Sequence, residues 1–131
     1  MMPKEAIIRT LTLLSTFGLG FEQGPQGEII DGPKSWRVCV TSVEEIAKFD
    51  DRPEIGKVVH GLTQFRKRRI LLDEEFLKDD KRAEFLIAHE AAHALSGSHQ
   101  CEGEGSSEFA AALEITKKHY TILFEGEVSY E

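Results

Sequence analysis

Residues 85–99 read FLIAHEAAHALSGSH. The run is apolar almost throughout, yet it carries His89, Glu90, His93 and His99. From Ala83 to Leu95 the polar positions are Glu84, His89, Glu90 and His93. Phe85, Ala88, Ala92 and Leu95 recur at helical spacing as one stripe, and Ile87, Ala91 and Ala94 cover another side. A helix apolar over most of its circumference belongs at the centre of a core. Ionisable groups buried there cost free energy unless they are paired or bound to metal. The stretch thus predicts a central helix, and a polar cluster on it that needs an explanation.

Spacing supplies the explanation. His89 and His93 are offset by roughly 40° and about 6 Å of rise, so both imidazoles reach one ion. Glu90 is turned by roughly 100° from His89, too far round to share that ion easily but within reach of a water bound to it. This is the His-Glu-x-x-His zinc pattern, with two ligands and one general base. A lone buried histidine usually reads as a satisfied core residue. Here three positions are set by type on a helix of the required character.

A catalytic zinc site takes three protein ligands and keeps one position for water. Two residues compete for the third place. His99 follows His93 by six positions, a total spacing shared with the metzincins. Their glycine falls three residues after the second histidine, where this chain has Ser96, with Gly97 one later. Glu108 opens the last helix in SSEFAAALE, where an acid near a helix N-terminus stays ionised readily. Ala111 and Ala112 one turn on would let that helix pack closely. This arrangement resembles the gluzincins, and Glu108 is the preferred ligand, with His99 the alternative and Glu104 the next. The plain readings are a loop residue for His99 and a first-turn acid for Glu108.

Outward from this helix the chain reads as α+β. Apolar spacing at Ile7, Leu11 and Leu14 predicts a helix over 3–17, closed by Gly18. Residues 18–35, rich in Gly and Pro, read as a loop, and 36–40 (WRVCV) as a strand. Ser42 with Glu45 forms a capping box for a helix over 43–49. DDRPEIG, 50–56, reads as a turn region. KVVHGLTQF and RILLD read as two strands around the turn RKR. Asp79 or Asp80 caps the long helix, which runs from 81 to about 96 and stops at Gly97. Ser106 or Ser107 caps a last helix over 108–120. The expected architecture is one minimal zincin-like domain over 1–131: a small mixed or antiparallel sheet, an active-site helix and a C-terminal helix.

Composition narrows the function. The 131 residues carry a formal charge of −7, which argues against generic nucleic-acid binding. The one basic cluster, RKRR at 66–69, is short, lies in a turn and lacks interleaved aromatics, so it reads as a solvated hairpin tip. No apolar run reaches membrane-spanning length, and the N-terminus reads as an amphipathic helix and not as a signal peptide. Cys39 and Cys101 show no CxxC pairing and read as reduced thiols of a cytoplasmic protein.

From Gly61 to Leu113 the order RILLD, acidic spacer, KRAEFLIAHEAAHAL, loop, EFAAAL resembles compact metallopeptidases of the ImmA/IrrE type. In that family a downstream acid completes the site, often four residues before a Phe-Ala pair. Phe109-Ala110 matches the pair, Gly105 holds the acidic place, and Glu104 and Glu108 flank it. The resemblance covers under half the chain; residues 1–60 carry none of it. It implies hydrolysis of a protein or peptide substrate with Zn2+ as cofactor and Glu90 as general base. The small size of the domain separately leaves room for a protein partner that presents the substrate. His119 and Tyr120 read first as a polar helix end, with a role as oxyanion donors the alternative. The segments around Gly61–Phe65 or Ile70–Leu72 offer an edge for an extended substrate. Two other classes share the motif: a catalytically silent zinc-binding regulatory module, and a DNA-associated protease resembling the SprT type. Retention of Glu90 favours activity over silence.

Overall fold

The structure is a computed structural model that describes residues 1–19, 22–23, 26, 29–30, 35–50, 58–97 and 106–125. It is α+β. The elements run α1 (Pro3–Thr16), β1 (Glu22–Gln23), β2 (Ile29–Ile30), β3 (Arg37–Thr41), α2 (Val43–Phe49), β4 (Gly61–Gln64), β5 (Arg69–Asp73), α3 (Asp80–Ser96) and α4 (Ser106–Tyr120). A short 3-10 turn, Phe76–Lys78, precedes α3, and a π-type turn, Thr121–Glu125, follows α4.

Three strands form a mixed sheet in the order β3-β5-β4. β4 and β5 are the expected hairpin, antiparallel, with Gly61 opposite Leu72 and Gln64 opposite Arg69. β3 lies parallel to β5, Val38 beside Ile70 and Val40 beside Leu72. Those four residues share one face of the sheet. With Ala6, Leu13 and Leu14 of α1 and Leu86, Ile87 and Ala91 of α3 they make the main core. Burying each large aliphatic side chain there contributes about 1.5–3 kcal/mol. α2 packs against β5 from the opposite side, where the Arg69 guanidinium lies 4.9 Å from the centre of the Phe49 ring.

Local chemistry sets the element ends. Asp79 accepts from Lys81 N at 2.9 Å and Arg82 N at 3.1 Å, the N-cap of α3. Gly97 ends α3 at φ 70°, where a side chain would be strained, and its N–H donates to His93 O. Ser42 Oγ accepts from Glu45 N at 3.2 Å, half of the expected capping box. Two readings of the sequence change. β4 starts at Gly61, so the strand is shorter than KVVHGLTQF suggests. β1 and β2 pair antiparallel inside the stretch read as loop, Glu22 with Ile30 and Gln23 with Ile29. Two-residue strands are too short to show any period. Residues 51–57, most of the turn region DDRPEIG, lie outside the described residues. Among the described residues no helix is long and apolar enough to cross a membrane.

α4 crosses beside α3 on small residues. Ala88 and Ala92 of α3 and Ala112 of α4 are buried, and Thr116 Oγ1 donates to Ala88 O at 2.8 Å. Ala111, its expected companion, faces solvent. These contacts hold α4 against the third and fourth turns of α3, where the histidines are.

Candidate metal centre

His89, Glu90 and His93 come together as the helical spacing requires. One ligand-type atom from each lies within 4.8 Å of the others. The two Nε2 atoms are 3.2 Å apart. Two nitrogens bound to one tetrahedral zinc at about 2.05 Å stand roughly 3.3 Å apart, so the imidazoles fit one such ion without rearrangement. Phe109, buried on α4, braces both rings, with centroids 5.0 Å from His89 and 4.4 Å from His93. Phe85 lies 5.4 Å from the His89 ring on its other side.

Protonation suits a cation. Burial, followed by the electrostatic influence of His93 and Lys117, pushes His89 down to about 4. A neutral imidazole is the form that ligates metal. Glu90 is enclosed, and its burial pushes the carboxyl up to about 7 against a hydrogen bond from Thr63. The Thr63 hydroxyl, itself buried, donates to Glu90 Oε1 at 2.8 Å and lies 3.1 Å from Glu90 O. One face of β4 thus orients the carboxylate.

Gly61 makes that approach feasible. A Cβ there would stand 2.7 Å from Leu86 Cδ1 and 2.8 Å from Glu90 Oε2. Both side chains are buried and have little room to yield. Gly61→Ala is therefore expected to destabilise the fold by about 1–3 kcal/mol, the cost of overpacking. It should also displace the Glu90 carboxylate. Thermal unfolding checks the first effect, and the position of the Glu90 carboxyl in a crystal structure of the variant checks the second. Sequence reading noted Gly61 only as a strand edge; the glycine's need is visible only across the strand–helix contact.

The other expected site residues fall as follows. Glu108 lies in the first turn of α4, exposed, and its Oε2 accepts from Ser107 Oγ at 3.2 Å. It is not in the close group of ligand-type atoms. The residue after it, Phe109, is the one that meets the histidines. His99 and Glu104 lie outside the described residues, as does Cys101. If Glu108 completes a zinc site, Glu108→Ala weakens zinc binding far more than His99→Ala, because loss of an inner ligand leaves two protein donors. Zinc titration of both variants checks this; the reverse ranking assigns the place to His99, and two small effects point to Glu104.

His119 and Tyr120 stand away from the histidines, which disfavours the oxyanion alternative. The His119 ring sits 5.0 Å from Phe17 and its Nδ1 lies 3.0 Å from Ile115 O. Tyr120 is buried, its hydroxyl accepting from Arg9 Nη1 at 2.9 Å. Both are engaged with α1 or with α4 itself, because the last turn of α4 turns toward α1. Neither lines the cleft at the histidines.

That cleft, of about 890 Å³, runs along β4 with His89, Glu90 and His93 at one side. Asp73 N donates to His60 O at 2.8 Å, so even-numbered residues of β4 bond to β5. Gly61 and Thr63 then turn their N–H and C=O groups to the outer edge. Among the described residues no strand pairs with that edge. No protein-family model, curated protein or solved structure matches the chain.

Proposed function

We propose that the protein is a zinc-dependent endopeptidase. The observation that carries this reading is the pair of facing Nε2 atoms, 3.2 Å apart, with the buried Glu90 carboxylate beside them at a cleft along a strand edge that no described strand pairs. His89 and His93 hold the ion, and Glu108, His99 or Glu104 completes the set. Zinc, when bound, polarises a carbonyl and acidifies its water toward pKa ~7. Glu90 takes that proton and returns it to the leaving amine, the work of a general base and acid. Thr63 fixes the carboxylate that does so. The outward groups of Gly61 and Thr63 hold an extended substrate by main-chain hydrogen bonds.

Burying Glu90 lowers stability, which a silent module would shed by substitution; a perturbed carboxyl in a cleft favours chemistry. The described free cysteine, Cys39, accords with a reducing, cytoplasmic setting. A zinc chelator is expected to abolish cleavage of an unstructured protein substrate, and added zinc to restore it. Cleavage that survives chelation would contradict this reading.

A further inference from the structure

The basic run at 66–69 has no task in the chemistry above, yet it does not simply point into solvent. Arg66 and Lys67 line the same cleft as the histidines. The Lys67 ammonium lies 5.2 Å from the centre of the Phe49 ring, which Arg69 covers at 4.9 Å. Phe49 is 37 % exposed and also lines the cleft, together with Lys48 beside it on α2. Lys48 is paired with Glu45 at 2.7 Å, but both are largely exposed, so the pair holds it weakly. The cleft therefore has a cationic wall made by two separate elements, in a chain whose net charge is −7.

Strand register says which part of a substrate would meet that wall. Gly61 and Thr63 face α3 and Glu90. Leu62 and Gln64, which also line the cleft, lie on the other face, where Gln64 Oε1 accepts from Arg69 Nε at 2.7 Å. Side chains of an added strand alternate in the same way. Those on the α3 face pass the histidines. Those on the opposite face enter a groove with Leu62 and Phe49 as its apolar floor and Lys48, Arg66 and Lys67 as its rim. The described carboxylates on that side are Asp50, which lines the cleft, Glu45, paired with Lys48, and the buried Asp73, held by His60 Nδ1 at 2.7 Å.

We propose that this groove selects acidic peptides, taking an Asp or Glu side chain on alternate positions of the extended substrate. The proposal rests on the hydrolase reading for the placement of the substrate along β4. A peptide is favoured over a nucleic acid because the cations border a cleft beside a strand edge that no described strand pairs, and because the whole chain is acidic.

The test uses the full zinc-loaded chain and two peptides of the same length, one with acidic and one with basic residues at alternate positions. Fluorescence anisotropy with the Glu90→Gln chain reads binding without cleavage, and the parent chain reads cleavage. The acidic peptide is expected to bind about ten-fold more tightly at low salt, from two or three exposed ion pairs, with the preference shrinking as salt rises. Arg66→Glu with Lys67→Glu should remove or invert the preference, and Lys48→Glu, on a separate helix, should weaken it. Equal binding of both peptides, or no binding of either, overturns the proposal. So does a DNA duplex bound more tightly than the acidic peptide and lost in the same variants. Selective binding without any cleavage would sink the hydrolase reading and keep the acidic groove; cleavage blind to charge would do the reverse.

Discussion

Replacing His89 and His93 together by Ala is expected to abolish zinc binding. Purified without added metal, the parent chain should carry about one zinc, and the double variant none. The expectation follows from geometry: the two Nε2 atoms meet at 3.2 Å, and Glu90 is the one other member of the described group. Structural zinc sites in small domains bind with apparent free energies of about 10–16 kcal/mol near neutral pH, so removal of two ligands leaves no measurable site. His89 is pushed down to about 4 in the metal-free chain, so protons should compete little for it above pH 5. Ala at both positions also removes the rings that Phe109 braces, and thermal unfolding of the metal-free forms separates that packing loss from metal binding. Zinc retained at the parent stoichiometry would mean that the metal sits elsewhere.

Glu90→Gln should leave zinc in place and lower hydrolysis of a verified substrate by ~10²–10⁴-fold, the loss typical of a general base. The amide keeps the size of the carboxyl and can still accept from Thr63 Oγ1, which lies 2.8 Å from Oε1. It cannot take a proton from water. The same substitution has a stability signature in the metal-free chain. Glu90 has its folded pKa raised from 4.5 to about 7. The folded state therefore holds the proton more tightly, and stability is lost as pH rises from 4.5 through 7. Gln escapes that loss. The variant and the parent should be equally stable near pH 4, with the variant ahead by roughly 3 kcal/mol above pH 8, at ~1.4 kcal/mol per pKa unit. His89 works in the other direction in both proteins: its pKa is lowered, so stability falls as pH drops from 6.5 through 4. Denaturant titration at pH 4 and pH 8 reads the difference. A variant that loses zinc would make Glu90 a ligand, and unchanged cleavage would remove it from the chemistry.

The parts of the fold legible in the sequence are those written in local periodicity and end signals. α3 is apolar nearly all round, opens on Asp79 and closes on Gly97, and all three signals agree. RILLD, five residues of mostly β-branched and aliphatic character, is β5 at the bounds expected. The helical spacing of His89, Glu90 and His93 was enough to bring their ligand atoms together, since four residues along a helix is a fixed geometry. What was not legible is non-local. Nothing in WRVCV says that β3 runs parallel to β5, thirty residues on. Gly61 looks ordinary until Glu90 is laid against it. Phe109 enters the sequence reading only as half of a Phe-Ala pair, and its contact with both imidazoles depends on how α4 crosses α3. The burial of Tyr120 is non-local too: chain position does not say that the last turn of α4 faces Arg9 on α1.

A crystal of the zinc-loaded protein, with anomalous diffraction recorded on both sides of the zinc edge, tests the central claim most directly. The metal centre built on α3 predicts one strong zinc peak per chain, about 2.0–2.1 Å from Nε2 of both His89 and His93, with the Glu90 carboxylate beside the peak and outside bonding distance. A zinc peak that lies away from these two histidines, or none at all in protein shown to carry zinc, would contradict it.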